Sequence, residues 1–130
     1  MPQNARTARI LVVDDHVDGL LTLSALLETM GFHVMSTNDA TRAVGMAAEF
    51  RPDLVILDIG MPKLNGYELA RRLRADPRFE HVPLVAVTGY GMEADKERAR
   101  KFGFAAHLTK PAEPDDLEAT VKRLLARPPS

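Results

Sequence analysis

The stretch Leu54-Val55-Ile56-Leu57-Asp58-Ile59-Gly60-Met61-Pro62 reads as a strand covered on both faces and closed by a carboxylate. Four consecutive apolar residues are too few for a helix, and they do not alternate with polar ones. An unpartnered Asp58 at the end of such a run would be costly to bury, so it needs a charged partner. Working outward, short runs of the same kind recur at Arg9 to Val13, His33 to Thr37, Leu84 to Val87 and Ala105 to Leu108.

Helical patterns separate these runs. Leu20, Leu23, Leu26, Leu27 and Met30 recur at helical spacing, with Gly31 placed to stop the turn. Ala43, Met46, Ala47 and Phe50 follow a cap at Asp39 and precede the breaker Pro52. A third helix is expected over about Gly66 to Leu73 and a fourth over about Met92 to Phe102, ended by Gly103. A fifth opens near Pro114 and carries Leu117, Val121, Leu124 and Leu125 on one face. Five strands alternating with five helices imply an α/β fold, a parallel sheet with helices on both sides. Right-handed crossovers then bring every strand's carboxyl end to one edge, where such folds bind ligands.

The composition narrows the function. A chain of 130 residues is one ordinary domain, with no need of a metal or disulfide staple. Zero cysteines remove thiol catalysis and thiolate metal sites. Seventeen basic against eighteen acidic side chains leave a formal charge of −1, which gives no electrostatic reason to expect nucleic-acid or membrane attraction. Met1 to Thr7 lacks the apolar core of a secretion signal and no apolar run approaches a membrane span, so a soluble, cytoplasmic protein is expected. Residues 1–8 and 127–130 read as tails around a domain over 9–126.

The chemistry lies in the acids. Asp14 and Asp15 close the first strand and Asp58 the third. If those strands are neighbours, each pair of charges about 4 Å apart repels by about 4 kcal/mol at an effective dielectric near 20. A cation is required. Oxygen ligands with room for water suit Mg²⁺ better than a calcium cage, and the absence of a nearby His or Cys disfavours zinc. Asp39, Asp53, Asp76, Asp95, Asp115 and Asp116 read instead as turn formers or caps. His16, His33 and His81 have no metal-ligand spacing with one another and read as solvated or strand-end residues.

Four motifs in order, Asp14-Asp15, Leu57-Asp58-Ile59-Gly60-Met61-Pro62-Lys63-Leu64-Asn65-Gly66, Val87-Thr88-Gly89 and Leu108-Thr109-Lys110-Pro111, resemble those of the receiver domains of two-component response regulators. The resemblance runs from the first strand to the last helix, and jointly the motifs are specific. It implies a flavodoxin-like (βα)5 three-layer sandwich with strand order 2-1-3-4-5. It also implies that Asp58 accepts a phosphoryl group from a histidine kinase or histidine phosphotransfer protein, with Mg²⁺ as cofactor and Mn²⁺ a possible substitute. Metal binding falls to Asp15, to Asp14 through water, to Asp58 and to the backbone carbonyl of Gly60. Lys110 would contact the phosphoryl oxygens, Pro111 is a candidate cis-proline, and Thr88 is either a phosphoryl donor and switch residue or a plain β-branched strand residue. Such a domain catalyses only its own phosphorylation and dephosphorylation. Its downstream protein target would meet the face formed by the fourth helix, fifth strand and fifth helix.

Departures from the family pattern carry further expectations. Three residues before the lysine, where Tyr or Phe is frequent, stands His107, either a weaker and pH-sensitive switch or a surface histidine. Gly60 and Tyr90 hold positions that tune acyl-phosphate hydrolysis; Tyr90 would shield the phosphoryl group, pack, or bind a partner. No effector follows the fifth helix, so a stand-alone receiver or one excised from a hybrid kinase is expected. A phosphatase of the haloacid dehalogenase type would want an acid where Gly60 stands, and a nucleotide-binding module would want a glycine-rich loop where Asp14-Asp15-His16 stands.

Overall fold

Strand β1, Arg9–Val13, pairs in parallel with β2, His33–Thr37, on one side and with β3, Leu54–Asp58, on the other. The computed structural model describes residues 7–60, 65–89, 97 and 100–126. Beyond β3 come β4, Leu84–Thr88, and β5, Ala106–Thr109, giving one parallel sheet of order β2-β1-β3-β4-β5. Among the described residues, the helices with complete bounds are α1, Val17–Thr29, α2, Ala43–Phe50, α3, Gly66–Arg74, and α4, Pro114–Leu125. The flavodoxin-like expectation therefore holds. The helix expected over about Met92 to Phe102 falls largely on residues outside the described ones, as do Asp95, residues 1–6 and residues 127–130.

Successive strand residues point to opposite faces, and the core divides accordingly. Leu11, Val13, Val55, Leu57, Leu84 and Ala86 pack with Ala43, Ala47 and Phe50 of α2 and with Tyr67, Leu69, Ala70 and Leu73 of α3. Ile10, Val12, Leu54, Ile56, Val85 and Val87 pack with Leu20, Leu23 and Leu27 of α1 and with Leu117, Val121 and Leu124 of α4. The sheet is thus the middle of three layers. Strands buried on both faces explain the unbroken apolar runs.

Helix ends follow local chemistry. Gly31 has φ +97° and its amide donates to the Glu28 carbonyl at 3.0 Å, a left-handed stop that costs glycine little. Asp39 caps a short 3₁₀ turn, Ala40–Arg42, by accepting from the Thr41 amide at 3.0 Å, and α2 starts only after that turn. Asn65 Oδ1 accepts from the Glu68 amide at 2.9 Å and caps α3. Gly66 is forced by proximity: a Cβ there would lie 2.8 Å from the Asp58 carbonyl oxygen and 2.8 Å from Ile59 Cα. Close approach of α3 to the end of β3 holds Asp58 in place.

Candidate functional site

Hydrogen bonds that run one rung past the strand ends assemble the site. The Asp14 amide donates to the Thr37 carbonyl at 3.2 Å, the Ile59 amide to Val87 at 3.0 Å, and the Lys110 amide to Thr88 at 2.7 Å. Asp14, Asp58 and Lys110 are thereby carried to one edge of the sheet. Asp14 and Asp58 are each only 4% exposed. The Lys110 ammonium bridges them, 3.0 Å from Asp58 Oδ2 and 3.1 Å from Asp14 Oδ2. The Lys110-Pro111 peptide is cis.

Electrostatics divide the two buried acids. Burial pushes the Asp58 carboxyl up, but hydrogen bonds from Lys110, the Gly60 amide at 3.0 Å and Asp14 outweigh it, leaving the group below the usual carboxylate range. Asp58 is therefore ionised at neutral pH. Asp14 is raised, first by burial and then by its hydrogen bond and charge contact with Asp58; the His16 amide and Lys110 oppose this without offsetting it. Burial would lower Lys110, yet the two carboxylates hold its ammonium above its ordinary value.

Asp15 joins the cluster from the β1–α1 turn. Its Oδ1 is buried and makes no hydrogen bond, although His16 Nδ1 lies 3.2 Å away. One ligand atom from each of Asp14, Asp15, His16 and Asp58 can be chosen so that all lie within 4.8 Å of one another. This donor set fits a hard divalent cation: three converging carboxylates, one with an unsatisfied buried oxygen, exceed what a single ammonium can neutralise.

Thr88 is buried at the end of β4, and its Oγ1 lies 2.9 Å from His107 Nε2. The pairing of Thr88 with Thr109 accounts for the contact, because His107 precedes Thr109 by two residues and so shares its face of β5. Gly60 lies at the exposed rim, with its amide bound to Asp58. Tyr90 falls outside the described residues.

His16 is the residue that sequence reasoning missed. Far from being remote from the acids, its Nδ1 stands 3.3 Å from Asp14 Oδ1, 3.2 Å from Asp15 Oδ1 and 3.6 Å from Asp58 Oδ2. The expectation that no imidazole adjoins the carboxylates is corrected. The available signal was local: in an Asp-x-His turn the His16 amide returns to Asp14 Oδ1, here at 2.9 Å, and brings the ring back over the strand end.

A parallel five-stranded sheet with an acid triad and a lysine at its carboxyl edge defines the receiver class. The family model for the response regulator receiver domain matches residues 10–122, and the chain belongs to that family. Among curated relatives, the polar-differentiation response regulator DivK of Brucella anthropi is 32% identical over 116 residues, spanning 89% of this chain and 94% of the relative. Among solved structures, a response regulator from Chloroflexus aurantiacus superposes with a TM-score of 0.90 at 30% identity, covering 94% of this chain and all (100%) of that one. The receiver domain of a sensor histidine kinase from Pseudomonas aeruginosa, TM-score 0.86 at 28% identity, covers 94% of this chain and 100% of its own. That structure holds magnesium coordinated in its active-site cleft. The chain is thus a signalling receiver domain and not a classical enzyme, and no helix among the described residues is long and apolar enough to cross a membrane.

Proposed function

We propose that the protein is a phosphoaspartate switch in which Asp58 receives a phosphoryl group from a histidine kinase or histidine phosphotransfer protein. One observation carries the reading: Asp58, buried yet ionised, faces Asp14, Asp15 and the Lys110 ammonium at one sheet edge. An Asp58 Oδ attacks phosphorus as the bond to the donor imidazole breaks, leaving an acyl phosphate on Asp58 and the imidazole on the donor. A bound Mg²⁺, or Mn²⁺ in its place, supplies charge neutralisation for the phosphoryl oxygens. Asp15, Asp58 and the Gly60 carbonyl would hold that ion, with Asp14 assisting through water. Lys110 transfers its ammonium from the carboxylates to the phosphoryl oxygens, and Thr88 donates its hydroxyl to them.

Thr88 Oγ1 and His107 Nε2 are 2.9 Å apart, and a phosphoryl group that takes the single hydroxyl proton leaves His107 able to pair with Thr88 only as the donor, through Nε2–H, so phosphorylation fixes the direction of their contact. His107 then relays the change to β5 and α4, the face on which a downstream protein docks together with the segment over about 92 to 102. Gly60 leaves the site open to water, and Tyr90 restrains hydrolysis. The working unit is the domain over 9–126, acting in the cytoplasm without direct nucleic-acid or membrane contact.

Incubation with acetyl phosphate or beryllofluoride, with and without Mg²⁺, tests the reading by mass spectrometry and NMR. Modification is expected in wild type only with the ion, and in Asp58→Asn not at all. Equal modification of both proteins would remove Asp58 from the centre. For the switch, the His107 imidazole resonances are expected to differ between beryllofluoride-bound and free protein across a pH titration; superimposable curves would sever the coupling.

A further inference from the structure

We propose that His16 is an additional ligand of the acidic centre and shifts its selectivity from Mg²⁺ toward Zn²⁺ and related first-row transition ions. The inference rests on the reading that this centre holds a divalent cation. His16 sits in extended conformation, φ −88° and ψ 105°, at the start of α1, where its side chain makes no capping bond. Its ring is 68% exposed, yet it is turned inward over the carboxylates.

The spacing is that of ligands around one ion. His16 Nδ1 stands 3.2, 3.3 and 3.6 Å from oxygens of Asp15, Asp14 and Asp58. Bonds of about 2.1 Å arranged tetrahedrally place their ends about 3.4 Å apart. The adjacent edges of a magnesium octahedron with bonds of that length are about 3.0 Å. Asp15 Oδ1, buried and without a hydrogen bond, is free to serve as a donor to such an ion. An imidazole nitrogen beside carboxylates raises affinity for borderline ions, whereas Mg²⁺ gains little from nitrogen and keeps its waters.

Lys110 is the competitor. Its ammonium lies 3.4 Å from His16 Nδ1 as well as against Asp14 and Asp58, so an incoming ion displaces a charge already in place. Displacement weakens every divalent ion alike. Selectivity between ions therefore falls to the one nitrogen donor.

Calorimetric titration of MgCl₂ and ZnCl₂ into wild type, His16→Gln and Asp15→Asn tests this, with circular dichroism confirming that each variant folds. In His16→Gln the ratio of the Mg²⁺ to the Zn²⁺ dissociation constant is expected to fall about 10-fold or more, with the Mg²⁺ constant little changed. An unchanged ratio overturns the proposal. Asp15→Asn is expected to weaken both ions; if it binds both as wild type does, the metal centre itself is misassigned, a failure distinct from that of His16. In ¹⁵N-histidine-labelled protein, one equivalent of Zn²⁺ is expected to shift His16 Nδ1, and a shift confined to the other histidines also overturns the assignment.

Discussion

Asp14 and Asp58 share one ammonium but not one fate. Because Asp14 is raised from 3.8, chiefly by burial, its ionised form is disfavoured in the fold. Stability from this group is present below pH 3.8 and is lost as pH rises through the folded value. Asp58 is lowered from 3.8, so its contribution is present above that value and is lost as pH falls. Metal-free Asp14→Asn is accordingly expected to be more stable than wild type at pH 7, with the advantage fading as pH falls toward 3.8. Urea unfolding across that range checks the sign; a variant less stable than wild type at pH 7 would show that Asp14 is held by its partners rather than strained by them. The acids and Lys110 were legible because their types and spacing recur as a motif. His16 was not, because its role depends on a turn that doubles back within two residues.

At the level of elements, the apolar runs disclosed every strand, and β1 and β2 keep the bounds of theirs. β3 and β4 take in one polar residue beyond their apolar runs, the Asp58 and Thr88 that were read as strand ends, and only β5 is displaced, lying one residue later than the run at Ala105 to Leu108 suggested. Hydrogen-bonding groups decide strand limits, and hydropathy does not report them. The aspartates of the 3₁₀ turns at Ala40–Arg42 and Pro77–Phe79 were legible as caps, each accepting one amide, whereas the 3₁₀ geometry that follows each cap was not. Gly66 was visible as part of a motif without its cause, the approach of α3 to the backbone of β3. Gly66→Ala is expected to cost about 1–3 kcal/mol through overpacking and to weaken divalent-ion binding by shifting Asp58. Chemical denaturation with metal titration measures both; retained stability and affinity would mean that the loop yields without disturbing the strand. Asn65→Ala, which removes only the α3 cap, is expected to cost about 1 kcal/mol and to leave ion binding intact.

Across the whole molecule, Arg74 ties together parts that the sheet alone does not. Its guanidinium donates to the carbonyls of Phe79 and Val82, both at 2.7 Å, and of Gly103 at 3.2 Å, joining α3 to the approaches of β4 and β5. Burial lowers its pKa, yet an arginine remains charged, so the three carbonyls are its compensation. Arg74→Met, which keeps the stem and removes the donors, is expected to cost about 2–4 kcal/mol. Hydrogen exchange is expected to quicken at β4 and β5 while β1 and β2 stay protected; uniform loss of protection would instead assign Arg74 to global stability.

Lys110 hangs from β4 by its amide while its side chain grips β1 and β3 at Asp14 and Asp58. Anything that loosens the grip acts on the same residue that fastens the sheet's last strand, so a change of charge in the pocket is felt as mechanical slack at the β5 margin. The opposite margin, β2, meets the pocket through its backbone, the Thr37 carbonyl accepting the Asp14 amide, and is separated from β4 and β5 by β1 and β3. A partner reading occupancy gains most by resting on the β5 side, and one indifferent to occupancy can rest on β2.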